Sequence, residues 1–220
     1  MRGIAMIQTD GHFESCTSVA EGNEDALYVI VKRTVNARTV RLHTRLFARP
    51  DAAFFVDCGV TYHGKPTRKL TGLHHLEGKT VSLLADGAVM PTGIVANGTV
   101  ILEHPARHIQ VGLPITADLQ TLPLALQMEA LGQGHTKNIN QVALRVHESA
   151  GIFVGPTFAR LTEVKQRTTE PYGISPALKS AELPVAISPA WQRDGALCVR
   201  QSDPLPLTIL SMTLEVALGR

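Results

Sequence analysis

The dipeptide Asn97-Gly98 constrains this chain more than any other feature. A two-residue type I′ hairpin turn requires positive φ at both central positions, and Asn and Gly tolerate that best. Ile94-Val95-Ala96 and Thr99-Val100-Ile101 flank it. A tight turn there sets Ala96 opposite Thr99, Val95 opposite Val100 and Ile94 opposite Ile101. Upstream, Val81, Leu83 and Ala85 alternate with Thr80, Ser82 and Leu84, and the pattern stops at Asp86-Gly87. Downstream, Arg107, Ile109 and Val111 alternate with His108 and Gln110. Four short strands with glycine-bearing corners over 70–111 predict a small β-barrel or sandwich.

Period-two alternation continues on both sides of this stretch. Leu27, Val29 and Val31 oppose Tyr28, Ile30 and Lys32, and Val40, Leu42, Thr44 and Leu46 alternate with Arg41, His43 and Arg45. The pattern is that of a half-buried strand pair. A two-residue turn at Asn36-Ala37 sets Val31 beside Leu42 and Val29 beside Thr44. It also sets Lys32 beside Arg41, a like-charge contact that opposes the register, and Ala37 is a poor turn residue, so a longer turn stays open. A further strand is expected from Phe13 to Ala20.

Between 115 and 150, Val142, Leu144 and Val146 fit period two, while Ile139, Val142, Ala143 and Val146 fit a helix. β-Branched residues favour the strand. The segment 122–131 fits a short helix as well as a strand. From Gly155-Pro156 onward, prolines separate short apolar runs and restrict their predecessors to extended backbone. Strands are expected at 160–166, 182–187, 196–201 and 207–216. In the last, Thr208, Leu210, Met212 and Leu214 share one face and Leu207, Ile209 and Ser211 the other, and apolar residues on both sides near its start suggest a central or intersubunit strand. The fold class expected is all-β, with a β-sandwich-like main domain. Arg49-Pro50-Asp51 and Gly112-Leu113-Pro114 mark boundaries, so 1–50 and 115–220 would form a discontinuous main domain and 51–114 an inserted small β-barrel.

The 220 residues suffice to bury a core without metals or disulfides. The formal net charge of +2 comes from 21 Lys+Arg against 19 Asp+Glu, which is too balanced to argue nucleic-acid binding. Basic residues cluster at 38–45 and 160–167, where solvated strand faces are the default reading. Cys16, Cys58 and Cys198 give neither a disulfide framework nor a C-x-x-C metal pair, and fit reduced, partly buried residues of a protein made in a cytosol. No apolar run is long enough for a membrane span, and no secretory leader is expected at 1–10.

The nine histidines show no zinc-ligand spacing. His74-His75 would point to opposite faces of a strand, and a β pattern with Pro105 argues against a helix bringing His104 to His108. No nucleophile elbow, phosphate loop or dinucleotide fingerprint occurs. Asp57 beside Cys58 would raise that thiol's pKa. Glu77 and Asp86 could be imagined as an acid pair, but Glu-Gly and Asp-Gly are turn chemistry. No catalytic, cofactor or metal site is expected, and the chain is read as a non-enzyme. Tyr172 and Trp191 could stack on a ligand or cap a core edge. The polar run 161–173 is either a solvated ribbon or a partner-facing one.

Several stretches together resemble one family. They are TDGHFES from Thr9, EDALYVIVKRTVN from Glu24, GLHHLEGKTVSLLADGAV from Gly72, VGLP from Val111, EVKQRTTEPYG from Glu163 and VRQSDPLPLTIL from Val199. Almost the whole chain resembles the C-terminal part of the tail nozzle or hub proteins of short-tailed phages, also called packaged-DNA stabilisation proteins. Those proteins are longer and carry an upstream propeller-like region. Here Asn36-Ala37 stands where the family usually has Asn-Gly. The module at 51–114 also resembles, as a fold, the small β-barrel of ubiquitin-activating enzymes, and this implies no such activity.

The resemblance implies a structural virion protein of a phage or prophage, made in the bacterial host cytoplasm and located in the tail. Its copies would form a ring, hexameric by resemblance, around the DNA channel. Partners would be further copies and other tail or portal-adaptor proteins, with non-specific contact to packaged DNA and no membrane insertion. No cofactor is implied. Arg160, Lys165, Arg167 and Tyr172 are the candidates for a partner or lumen surface. The alternative is a tail-tip adhesin that binds a cell-surface glycan.

Overall fold

The computed structural model describes residues 9–46, 55–124, 135–165, 175 and 177–219. Its regular structure is antiparallel β-sheet plus one short 3-10 turn, so the chain is all-β as expected. Contacts divide it into two compact units, Met1–Pro114 and Ile115–Arg220. The division falls where the sequence ends its inserted module. The ribbon that the sequence groups with 115–220 instead clusters with 55–113.

In the first unit, β1 (His12–Glu21), β2 (Glu24–Val35) and β3 (Arg38–Leu46) form a meander in that order. Val35 pairs with Arg38 across a two-residue turn in which Asn36 and Ala37 take φ of +48° and +59°. Val31 faces Leu42, Val29 faces Thr44 and Lys32 faces Arg41, the register that alternation predicts. Two sets of side-chain interactions stabilise this register. The Glu14 carboxylate accepts from Arg41 Nε at 2.6 Å and Nη2 at 3.1 Å, which offsets the repulsion from Lys32. The Tyr28 ring stacks on His43, and its hydroxyl donates to Glu21.

A second sheet follows, from β4 (Asp57–Thr71), β5 (Thr80–Ala85), β6 (Ala88–Ile94) and β7 (Thr99–Leu113), in the order β4-β7-β5-β6. Between β4 and β5 lies the 3-10 turn His74–Leu76. One core serves this sheet, built from Leu70, Leu73, Leu76, Val81, Leu83, Val100, Leu102, Ile109 and Val111. Two strands were hidden in the sequence. β4 contains Gly64-Lys65-Pro66, which reads as a break, and register shifts around 63–67 absorb it as a bulge. β6 contains Pro91 and lies at the sheet edge, where a missing N–H removes no ladder bond.

A buried ion cluster ties the ribbon to this sheet. The Arg33 side chain is 2% exposed, with Nη1 2.5 Å from Asp10 and Nη2 2.6 Å from Asp57. Arg33 also donates to the Thr9 hydroxyl, and Lys79 Nζ reaches Asp10 at 3.0 Å. Hence residues of the chain before β1 and of β4 meet at one guanidinium of β2, and Lys79, before β5, joins them through Asp10.

The second unit stacks two sheets. β8 (Ala117–Gln120), β10 (Phe153–Thr157), β11 (Arg160–Glu163) and β13 (Cys198–Gln201) take the order β11-β10-β13-β8. β9 (Lys137–Val146), β12 (Glu182–Ala186) and β14 (Ile209–Leu218) take the order β12-β9-β14. Val142, Leu144 and Val146 of β9 meet Ile152, Val154, Val185, Leu197 and Val199 in one core, so the strand reading of 139–146 holds. Among the described residues β14 is an edge strand of its sheet rather than a central one. A register shift between Ile209 and Ser211 turns Leu210 outward, so it does not share the face of Met212 and Leu214 as alternation predicts. The segment 122–131 lies outside the described residues beyond 124, as does the boundary at 49–51.

Replacing Arg33 with Leu should strand two carboxylates at the seam of the first unit. Roughly 3 kcal/mol of stability should be lost, the low end for breaking a buried pair, because both aspartates keep some access to water. Urea unfolding monitored by a probe in the first unit measures it.

Candidate interaction surface

The carboxylates of Glu77 and Asp86 are engaged in holding turns. At the Asn97-Gly98 turn, φ values are +52° and +63°, and Ala96 and Thr99 exchange both backbone hydrogen bonds. Only that pair of the expected ladder forms. Ile94 pairs with Thr80 instead, while Val100 and Ile101 pair with Leu70 and Lys69. Glu77 takes over the turn: Oε1 accepts from Asn97 N at 2.8 Å and Oε2 from Gly98 N at 2.6 Å. These backbone donors hold its carboxyl below the usual range. A Cβ on Gly98 would lie 2.4 Å from the His74 ring, so only glycine fits beneath that histidine. Asp86 does the same at the next corner, accepting from Arg107 N and from His108 N at 2.8 Å. Both residues are the turn elements the sequence suggests.

His74 and His75 lie in the 3-10 turn, not on a strand; His75 Nε2 lies 3.2 Å from Cys58 O. Among the described residues no three His, Cys, Asp or Glu side chains gather into a metal site. Burial, above all, pushes the Cys58 thiol up, and Asp57 adds to the shift. Cys198 is buried, and burial raises its pKa too; Cys16, by contrast, is exposed on β1.

A shallow groove of about 440 Å³ in the second unit is lined by Arg145, His147, Ser180, Glu182 and Leu210, among others. Ser180 Oγ lies 3.3 Å from His147 Nδ1, and His147 Nε2 lies 4.0 Å from Glu148. The set looks like a nucleophile with its base. Yet Ser180 Oγ also accepts from Glu148 N at 2.9 Å, and Glu148 sits at φ +42°. The hydroxyl thereby holds a strained corner beside the Ser149–Lys179 bridge.

Of the expected surface residues, Arg160 begins β11, an edge strand, and is exposed, with Nη2 donating to Pro189 O at 3.3 Å. Lys165 is exposed just beyond that strand. Arg167 and Tyr172 lie outside the described residues. On β13, beyond β10 in the same sheet, Arg200 makes a two-pronged pair with Asp118 at 2.7 Å and lies over the Phe158 ring. This holds the Asp118 carboxyl below its usual range.

What the sequence does not single out is the condition of the strand edges. Each sheet is open, so each has two edge strands among the described residues. β1 is exposed along nearly its whole length, with Phe13 and Val19 uncovered. Leu210 of β14 is 59% exposed, and the Trp191 ring is 56% exposed.

No protein-family model and no curated protein matches the chain.

Glu77 yields a pH prediction. Its folded pKa is depressed below the ordinary value of 4.5. The stability it supplies is therefore present above that value and lost as pH falls through the folded pKa. Glu77→Gln should remove this part of the acid sensitivity and loosen the Asn97-Gly98 corner, seen as faster amide exchange at Gly98.

Proposed function

We propose that the chain is a structural virion component of a short-tailed phage or prophage, a tail nozzle or hub element whose copies dock side by side into a ring around the DNA channel. The observation that carries this reading is the exposed edge. A ten-residue edge strand such as β1, bare on both faces and bearing Phe13 and Val19, invites pairing unless something covers it. Ring closure by neighbouring copies supplies such a cover. The polar clusters point the same way. Glu77, Asp86, Ser180 and Arg33 act on the protein's own backbone and ion pairs, as expected of a chain that works through its shape. Arg160 and Lys165 would face the lumen or a neighbouring tail or portal-adaptor protein, and contact with packaged DNA would be to phosphates without sequence preference.

A second reading is favoured by Trp191. Its ring lies 3.1 Å from where a Cβ on Gly219 would stand and is otherwise largely bare, as an aromatic platform for a sugar would be. Specific signals on a glycan array, lost in Trp191→Ala, would establish an adhesin.

Sedimentation of the purified chain tests the first reading. A defined multiple of the protomer mass is expected. Phe13→Lys with Val19→Lys should reduce it to one protomer while leaving the far-ultraviolet dichroism unchanged. A monomer at all concentrations in the unaltered protein, or an oligomer indifferent to both changes, would overturn assembly through β1.

A further inference from the structure

His63 and His108 are far apart in sequence, and no ligand spacing relates them. The fold makes them direct cross-strand partners in β4 and β7. Their rings stack with centroids 4.0 Å apart and planes within 16°. His63 is exposed and His108 half-buried, so an ion can reach both.

The backbone around the pair is held from both sides. His108 gives its N–H to Asp86 Oδ1 at 2.8 Å, and its carbonyl accepts from Asp86 N at 2.8 Å. Both of its main-chain groups therefore point away from β4. His63 and His108 thus form a non-hydrogen-bonded pair, the closer of the two kinds of antiparallel position. On the other strand, the Tyr62 hydroxyl donates to Lys65 O at 2.9 Å and closes the bulge that follows His63. A Cβ on Gly64 would lie 2.6 Å from that hydroxyl, so a side chain there would push the Tyr62 ring aside. Two imidazoles on fixed, adjacent strands have little freedom left to lose on binding an ion.

We propose that His63 and His108 form a two-imidazole site for a borderline divalent transition ion, Zn²⁺ or Ni²⁺, completed by water. Imidazole suits these ions, and the stacked rings must turn so that one nitrogen of each faces a common ion at the roughly 2.0–2.1 Å that zinc requires. Mg²⁺ and Ca²⁺ want oxygen donors and gain nothing from the pair. The carboxylate of Asp86, bound to the main chain of His108, adds negative charge close to the site. An ion held there would pin β4 to β7 next to the bulge. The inference is independent of any role in a virion.

The experiment uses the purified full chain in calorimetric titrations with Zn²⁺ and Ni²⁺, with Ca²⁺ and Mg²⁺ in parallel. Saturable binding of one Zn²⁺ per chain is expected, with a rise in melting temperature, since the ion binds only the folded pairing. His63→Ala and His108→Ala should each abolish both effects, while His104→Ala and His147→Ala should leave them. His108→Gln keeps a polar side chain at the half-buried position and should give the same loss if His108→Ala fails to fold. Absence of Zn²⁺ binding, binding undiminished in the His63 and His108 variants, or an equal response to Ca²⁺ would overturn the site.

Discussion

Most large apolar side chains in the two cores lie on one face of a sheet only three or four strands wide. Such a sheet cannot enclose itself without help, and a strand's other face and the outer strands' edges remain to be dealt with. Most of the specific interactions in this protein answer that constraint. In the second unit two sheets stack on each other. In the first, one sheet takes Leu73 and Leu76 of the turn after β4 into its core, and the ribbon is tied on through Arg33.

Arg33 shows how polar chemistry serves packing. A guanidinium buried this deeply is tolerated only with its charge matched, and two aspartates and a threonine hydroxyl meet it. Because the partners come from different stretches, the cluster also fixes which segments lie side by side. Glu77 and Asp86 act over shorter distances. Each spends a carboxylate on two backbone amides at a corner where the main chain leaves the ladder and its donors would otherwise lack partners. Glu77 and Asp86, the conspicuous acids around 74–86, are thus structural parts of the turns.

Some of this was legible and some was not. The register of β2 on β3 was, because a two-residue turn at Asn36-Ala37 sets Val31 beside Leu42 and Val29 beside Thr44. The Asn97-Gly98 turn was too, but not the divergence beyond it. Ile94 and Ile101 each found a better partner on another strand, and both ended exposed. Alternation failed at Leu210 because a bulge shifts the phase by one residue. The Gly64-Lys65-Pro66 and Pro91 positions concealed strands because local breakers are tolerated in bulges and at edges, and position in a sheet is not a local property. The breaks at 49–51 and 112–114 mark where segments end but carry no information about which sheet each flanking strand joins.

By itself, the sequence determined that the chain would be β throughout, where its tightest corners lie, and which face of most strands would be buried. Those follow from φ preferences and a two-residue period, both local. Only the tertiary structure decided that Arg33 would meet Asp10 and Asp57, that His63 would stack on His108, and that β1 would stand exposed at an edge. These are pairings between distant segments. They are selected by the burial of whole sheet faces, an energy that belongs to the assembled fold and is written at no single position of the chain.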